Sequence, residues 1–176
     1  TALLVGTGLG CSGAVFQSLA RNPLASPDII GISSGASAAA VYLIIFVNVS
    51  SYARVSVGAL IGGLLTATVI YVLAYRRGLS SYRLVLIGIG ISAMLTAATN
   101  YMLTRADQFD AMKAMVWITG SLNNRGWQHV IPLGVATLVL LPTLLWVTPH
   151  LRLLQLGDDA ALGLGVNVER TRAIAI

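Results

Sequence analysis

The chain has 176 residues, of which 56% are hydrophobic and only 10% charged, with a formal net charge of +5 and a mean hydropathy of +0.82. A soluble domain carries about a quarter charged residues, so there is too little polar surface here to cover a water-facing globule. The single cysteine, Cys11, sits inside an apolar run and reads as a small packing residue, which says nothing about a disulfide framework.

Asp, Glu, Lys and Arg are absent from residues 1–20, 29–53, 55–75, 84–104 and 130–148. Each run approaches the roughly 20 residues that a helix needs to cross a bilayer core of about 30 Å. Backbone groups in lipid must be satisfied within the segment, and no strict alternation suggests a lipid-facing barrel. The runs predict an all-α, polytopic transmembrane helical bundle. Its spans fall at about 1–20, 31–49, 55–75, 84–104 and 130–148, with a cytoplasmic segment at 151–170. The chain opens in an apolar run without Met, and Arg172 onward starts another run, so it reads as an internal piece of a longer protein.

Charge placement orients the bundle. Taken alternately, the segments between spans put Arg21, Arg76, Arg77, Arg83, Arg152, Arg170 and Arg172 on one side. Arg54, Arg105, Lys113 and Arg125 fall on the other. The larger set is cytoplasmic by the positive-inside rule. The basic excess is therefore an orientation signal, and no nucleic-acid partner is predicted.

In chain order, 21–28 is a cytoplasmic turn carrying Pro23 and Pro27. The pairs Gly6/Gly10, Gly31/Gly35 and Gly58/Gly62 have the spacing that lets helix backbones approach closely in lipid. In 84–104, Gly88, Ser92, Thr96 and then Thr99 or Asn100 form a small, weakly polar stripe. It serves either hydrogen bonding between helices or the lining of a translocation path. The external segment 105–128 predicts a short interfacial helix with Trp117 and Trp127 as belt aromatics. Pro132 and Pro142 predict a bend in the last span. After it, Gly157 can end a turn, Asp158 can cap a short helix, and Gly163 with Gly165 can break it. That segment is a solvated loop or a docking element for a cytoplasmic partner.

Residues 31–35 match the G-x-S-x-G elbow of hydrolases, but the flanks read as membrane helices and an activating His and acid are required. The only histidines, His129 and His150, lie at opposite ends of one span. An intramembrane serine hydrolase using Ser33 or Ser34 is the rival reading, and no catalytic residue is assigned. No metal-ligand spacing and no Walker-type phosphate loop is present, so nucleotide chemistry belongs to another subunit.

Gly13-Ala-Val-Phe-Gln17, Arg21-Asn22-Pro23-Leu24-Ala25-Ser26-Pro27-Asp28 and Gly31-Ile-Ser-Ser-Gly35-Ala36 together resemble a known signature. It is that of the FecCD-like permeases of bacterial ABC importers for iron siderophores and cobalamin. Trp117-Ile-Thr-Gly120-Ser121-Leu122 with Trp127, and Leu156 through Val166, are similar to later motifs of that family. The resemblance implies a type II ABC importer permease, partial here and covering roughly its second to sixth helices. It makes Asn22, Pro23, Leu24, Pro27, Gly31, Ser33 and Gly35 the signature turn. Leu156, Gly157, Asp158, Asp159, Ala160, Leu162, Gly163, Leu164 and Gly165 become the segment that couples to an ATPase. Gly88, Ser92, Thr96 and Asn100 become path residues, and Arg54, Arg105, Lys113 and Arg125 become contacts for a binding protein. The implied partners are a second permease subunit, two cytoplasmic ATPases, an extracytoplasmic substrate-binding protein and the bilayer of the bacterial cytoplasmic membrane. ATP and Mg would sit on the ATPases, with no cofactor or metal on this chain. The implied cargo is a ferric siderophore, with cobalamin or haem as the alternative.

Overall fold

The computed structural model describes residues 1–23, 26–75, 81–123 and 125–175, without the side chains of Ile29, Ser81, Asp158, Asp159 and Glu169. The chain folds as two compact units, Pro27–Ser121 and the pair of segments Thr1–Ser26 and Leu122–Ile176.

The unit Pro27–Ser121 opens with a 3-10 turn, Pro27–Ile30, that leads into α2, Ile32–Ile45; α1 belongs to the other unit. Then follow α3 (Tyr52–Ala74), α4 (Ser81–Arg105) and α5 (Gln108–Thr119). Helix α2 packs on α3, α4 and α5, and its core residues Ala40, Val41 and Ile44 meet Val55, Ala59 and Ala114. Small residues make that packing close. A Cβ at Gly35 would strike the side chain of Thr66 and stand 3.0 Å from the Gly62 carbonyl oxygen, and one at Gly62 would lie 2.7 Å from that of Gly35. Two helix backbones thus touch through paired glycines, as the Gly31/Gly35 and Gly58/Gly62 spacing predicts. Gly58 itself meets only the flexible side chain of Leu43.

Helix α2 is shorter than the charge-free run that holds it. It ends at Ile45 because Phe46 caps it and Asn48 turns left-handed at φ 54°, a conformation Asn tolerates. Its 14 residues rise about 21 Å, against a hydrocarbon core of about 30 Å. Among the described residues, four helices are long and apolar enough to cross a membrane: Ala2–Ala20, Tyr52–Ala74, Tyr82–Arg105 and Trp127–Gln155. Arg83 Nη1 donates to the Ala74 carbonyl at 3.2 Å, so a flanking cation satisfies the end of α3.

The other unit holds α1 (Ala2–Ala20), α6 (Trp127–Gln155), α7 (Asp158–Gly163) and α8 (Val168–Ala175). Its core gathers Val15 of α1, Val147, Leu151 and Leu154 of α6, Ala161 of α7, then Val166 and Val168. Helix α6 is one continuous 29-residue helix through Pro132, Pro142 and Pro149. Proline at 142 and 149 leaves the carbonyls of Leu138 and Leu145 without their helical donors. Hydroxyls bond back beside both breaks, from Thr143 to the Val139 carbonyl at 3.1 Å and from Thr148 to that of Leu144 at 2.7 Å. Gln155 rather than Thr148 ends the helix, so Arg152 rides on it and the loop begins at Leu156. Around Gly6 and Gly10 a Cβ would meet nothing within 4 Å, so that pair forms no close helix contact among the described residues.

Candidate functional site

The segment after α6 is held from within. Gly157, at φ 113°, is the N-cap of α7, and Asp158 is the first helical residue instead of the cap. Ala161 N–H donates to the Gly157 carbonyl at 3.0 Å. At the other end, Gly165 N–H bonds the Leu162 carbonyl and Val166 N–H bonds that of Ala161, both at 3.0 Å, with Gly165 at φ 82°. This is a Schellman ending, and its customary apolar partners, Ala161 and Val166, are both in the unit's core. Gly165 supplies the break; Gly163 is the last helical residue. The two buried residues pin the segment to α6, while Leu156, Leu162 and Leu164 stay 66%, 58% and 60% exposed. The segment thus has a fixed backbone with three leucines facing outward. Ala160 and Gly163 are also exposed, and the side chains of Asp158 and Asp159 lie outside the described residues.

Gln155 Nε2 donates to Ser18 Oγ at 3.2 Å, tying the end of α6 to α1. Sequence reasoning missed that link because 137 residues separate its partners. The Val166 anchor had a local signal, an apolar residue directly after the glycine that ends a short helix.

Of the signature turn, Leu24 lies outside the described residues. Arg21 closes α1 in the left-handed region at φ 51°, and its N–H reaches the Gln17 and Ser18 carbonyls. Asn22 N–H also donates to the Gln17 carbonyl at 3.1 Å, and Gln17 Nε2 donates to the Pro23 carbonyl at 2.9 Å. Pro27 starts the 3-10 turn. Gly31, at φ 89°, is the N-cap of α2; a Cβ there would lie 3.0 Å from Ser92 Cβ and 3.1 Å from the Gly88 carbonyl. Among the described residues the two serines bond side chains and not local backbone. Ser33 Oγ donates to Asp28 Oδ1 at 2.8 Å, and the Ser34 and Ser92 hydroxyls share a 2.8 Å hydrogen bond. A 3-10 turn precedes these serines, which sit in the first turn of α2, where a hydrolase elbow needs a strand before the turn.

The stripe on α4 divides. Gly88 faces Ile30, whose carbonyl oxygen a Cβ would approach to 2.8 Å, and Ser92 faces Ser34. Both belong to helix packing within the unit, whereas Thr96 and Asn100 are exposed. Thr99 is buried and bonds back to the Leu95 carbonyl at 2.8 Å.

Among the cations read as external, Arg54 is exposed in the first turn of α3, and Arg105 lies over the Tyr101 ring at 5.4 Å. Asp107 caps α5 by accepting from Asp110 N–H at 2.9 Å. Lys113 pairs with Asp110 at 2.8 Å; that hydrogen bond, then the carboxylate charge, raises the lysine above its ordinary value of 10.5. Arg125 Nη1 lies 3.3 Å from His129 Nε2. Trp117 differs from its reading as a belt residue. It packs against the Ala40–Ala59 core with a buried indole nitrogen, while Trp127 is 76% exposed. Arg172, read as a flanking charge, is buried in α8.

Four helices among the described residues that are long and apolar enough to span a membrane define a polytopic membrane protein. The model of the FecCD transport family matches residues 1–176, and the chain belongs to that family. It is 40% identical over 98% of its length to the ferric enterobactin transport system permease protein FepG of Escherichia coli. It is 43% identical over 97% of its length to the achromobactin transport system permease protein CbrC of Dickeya dadantii. The chain spans about half the length of these curated relatives, 52% and 49%. A solved inward-facing conformation of a metal-chelate type ABC transporter superposes with a TM-score of 0.91 at 28% identity, covering 99% of this chain and 55% of that one. The chain thus belongs to a transport family and is similar to permeases, and that membership displaces the serine hydrolase reading.

Proposed function

We propose that the whole protein is the membrane subunit of an ABC importer that moves a ferric siderophore across the bacterial cytoplasmic membrane. The observation that carries this reading is the match of nearly the whole chain to permeases of ferric enterobactin and achromobactin transport. In this reading two permease subunits form the pathway, two cytoplasmic ATPases bind ATP and Mg, and an extracytoplasmic protein delivers the cargo. This chain itself holds no cofactor.

The segment 156–166 docks on the ATPase through Leu156, Leu162 and Leu164. Because Ala161 and Val166 are buried against α6, a push on α7 is transmitted to that helix instead of being absorbed by a loose loop. Thr96 and Asn100 line the path, where uncharged, weakly polar side chains let a large hydrophilic chelate pass without tight binding. Gly88 and Ser92 support them by fixing α4 on α2. Arg54, Arg105, Lys113 and Arg125 meet acids of the binding protein.

The test uses the full-length permease with its ATPase. Leu162→Asp combined with Leu164→Asp should lower siderophore uptake at least tenfold and weaken ATPase pull-down, while Ser33→Ala with Ser34→Ala should keep substantial uptake. Unchanged pull-down by the leucine pair would sink the docking role. Uptake of cobalamin in place of ferric siderophores would overturn the cargo.

A further inference from the structure

Where α6 leaves the membrane, it and α8 enclose a cavity of about 200 Å³, lined among others by Trp146, His150, Asn167, Arg170, Thr171 and Ile174. The lining is graded along both helices. On α6, Trp146 lies one turn deeper in the apolar run than His150, and their rings are 5.5 Å apart. On α8, Arg170 and Thr171 come first and Ile174 lies one turn further toward the apolar end of the chain. Each helix thus contributes polar side chains on one turn and an apolar side chain on the next.

The polar side chains are donors. Asn167 Oδ1 accepts from Arg170 N–H at 2.9 Å, which leaves its amide NH₂ free to donate. His150 Nδ1 lies 3.3 Å from the Trp146 carbonyl, which leaves Nε2 for a ligand. The Arg170 guanidinium has no partner among the described residues, and no acid among them lines the cavity. Arg170 belongs to the arginine set that orients this end toward the cytoplasm.

We infer that this cavity binds the phosphate headgroup of an anionic glycerophospholipid from the cytoplasmic leaflet. Arg170, His150, Asn167 and Thr171 hold the phosphate, and the first acyl carbons run along Trp146 and Ile174. Basic pockets between membrane helices on the cytoplasmic side are suited to such headgroups. The apolar side chains distinguish a lipid from free phosphate, which would leave Trp146 and Ile174 uncovered. The site adjoins the segment 156–166 through Gly165, so a bound lipid would brace the backbone that ends α7. The inference rests on the membrane orientation and is independent of the cargo.

The test is native mass spectrometry of the purified full-length permease, exposed to equal phosphatidylglycerol and phosphatidylethanolamine and then stripped with detergent. Wild type should retain one phosphatidylglycerol per subunit in preference to phosphatidylethanolamine. Arg170→Gln combined with His150→Gln should lower retention by roughly fivefold or more, while Arg152→Gln, outside the cavity, should retain the lipid. Should the double variant misfold, wild type treated with a diazirine-tagged phosphatidylglycerol provides a second reading. Cross-links should fall within residues 143–152 and 166–175. Equal retention of the two lipids, full displacement by inorganic phosphate, retention unaffected by the double variant, or cross-links confined to other helices would each overturn the inference.

Discussion

Gly88 and Gly31 show how one hydrogen atom in place of a methyl decides a helix contact. A Cβ at Gly88 would meet backbone, the Ile30 carbonyl at 2.8 Å and the Ile30 Cα at 2.9 Å, which cannot rotate away as a side chain can. Gly88→Val should therefore overpack the α4 contact by about 1–3 kcal/mol, read as a lower melting temperature of the full-length permease. Gly90, two residues on with nothing within 4 Å, should take the same substitution with no comparable loss. The sequence displayed Gly88 only as one member of a polar stripe. Its packing role depends on Ile30, a residue that no helical periodicity connects to it.

At the scale of elements, charge runs located helices well and their ends poorly. Helix α2 ends at Ile45, ahead of a left-handed Asn48, inside an uncharged run, and α6 continues past the core of its uncharged run at Thr148 to Gln155. Uncharged stretches mark what lipid tolerates; hydrogen bonding and caps decide where a helix ends. Helix α5 is the converse case, since Asp107 and the Asp110–Lys113 pair sit at its start and define it locally. The raised lysine value fixes the sign of its pH dependence. The folded protein favours protonated Lys113, so the pair's contribution is fully present below about pH 10.5 and is lost as pH rises through the raised value. Lys113 is exposed and the effect is small. The difference in melting temperature between wild type and Lys113→Ala should stay constant from about pH 7 to 9.5 and shrink above 10.5. A difference that grows with alkalinity would contradict the pairing.

For the whole molecule, the proposed translocation path is tested at the exposed polar positions Thr96 and Asn100 of α4. Thr96→Cys and Asn100→Cys in the full-length permease should react with a membrane-impermeant thiol reagent and lose uptake once labelled. Ala97→Cys, on another face of the same helix, should keep its uptake after the same treatment. Loss confined to the Ala97 variant would move the path to a different face of α4.

Composition and charge by themselves determined the solvent and the helical class, because lipid admits few charges and no unsatisfied backbone. The motif from Gly13 to Ala36 carried the family. Only the tertiary structure decided which small residues touch, since Gly35 with Gly62 and Ser34 with Ser92 meet through space from different helices. It also decided that the segment after α6 is a fixed knob, because the burial of Ala161 and Val166 depends on Leu151, Leu154 and Val15, which lie elsewhere in the chain. Local pattern reports what a residue prefers; which neighbour it finds is set by helices packed from distant parts of the sequence.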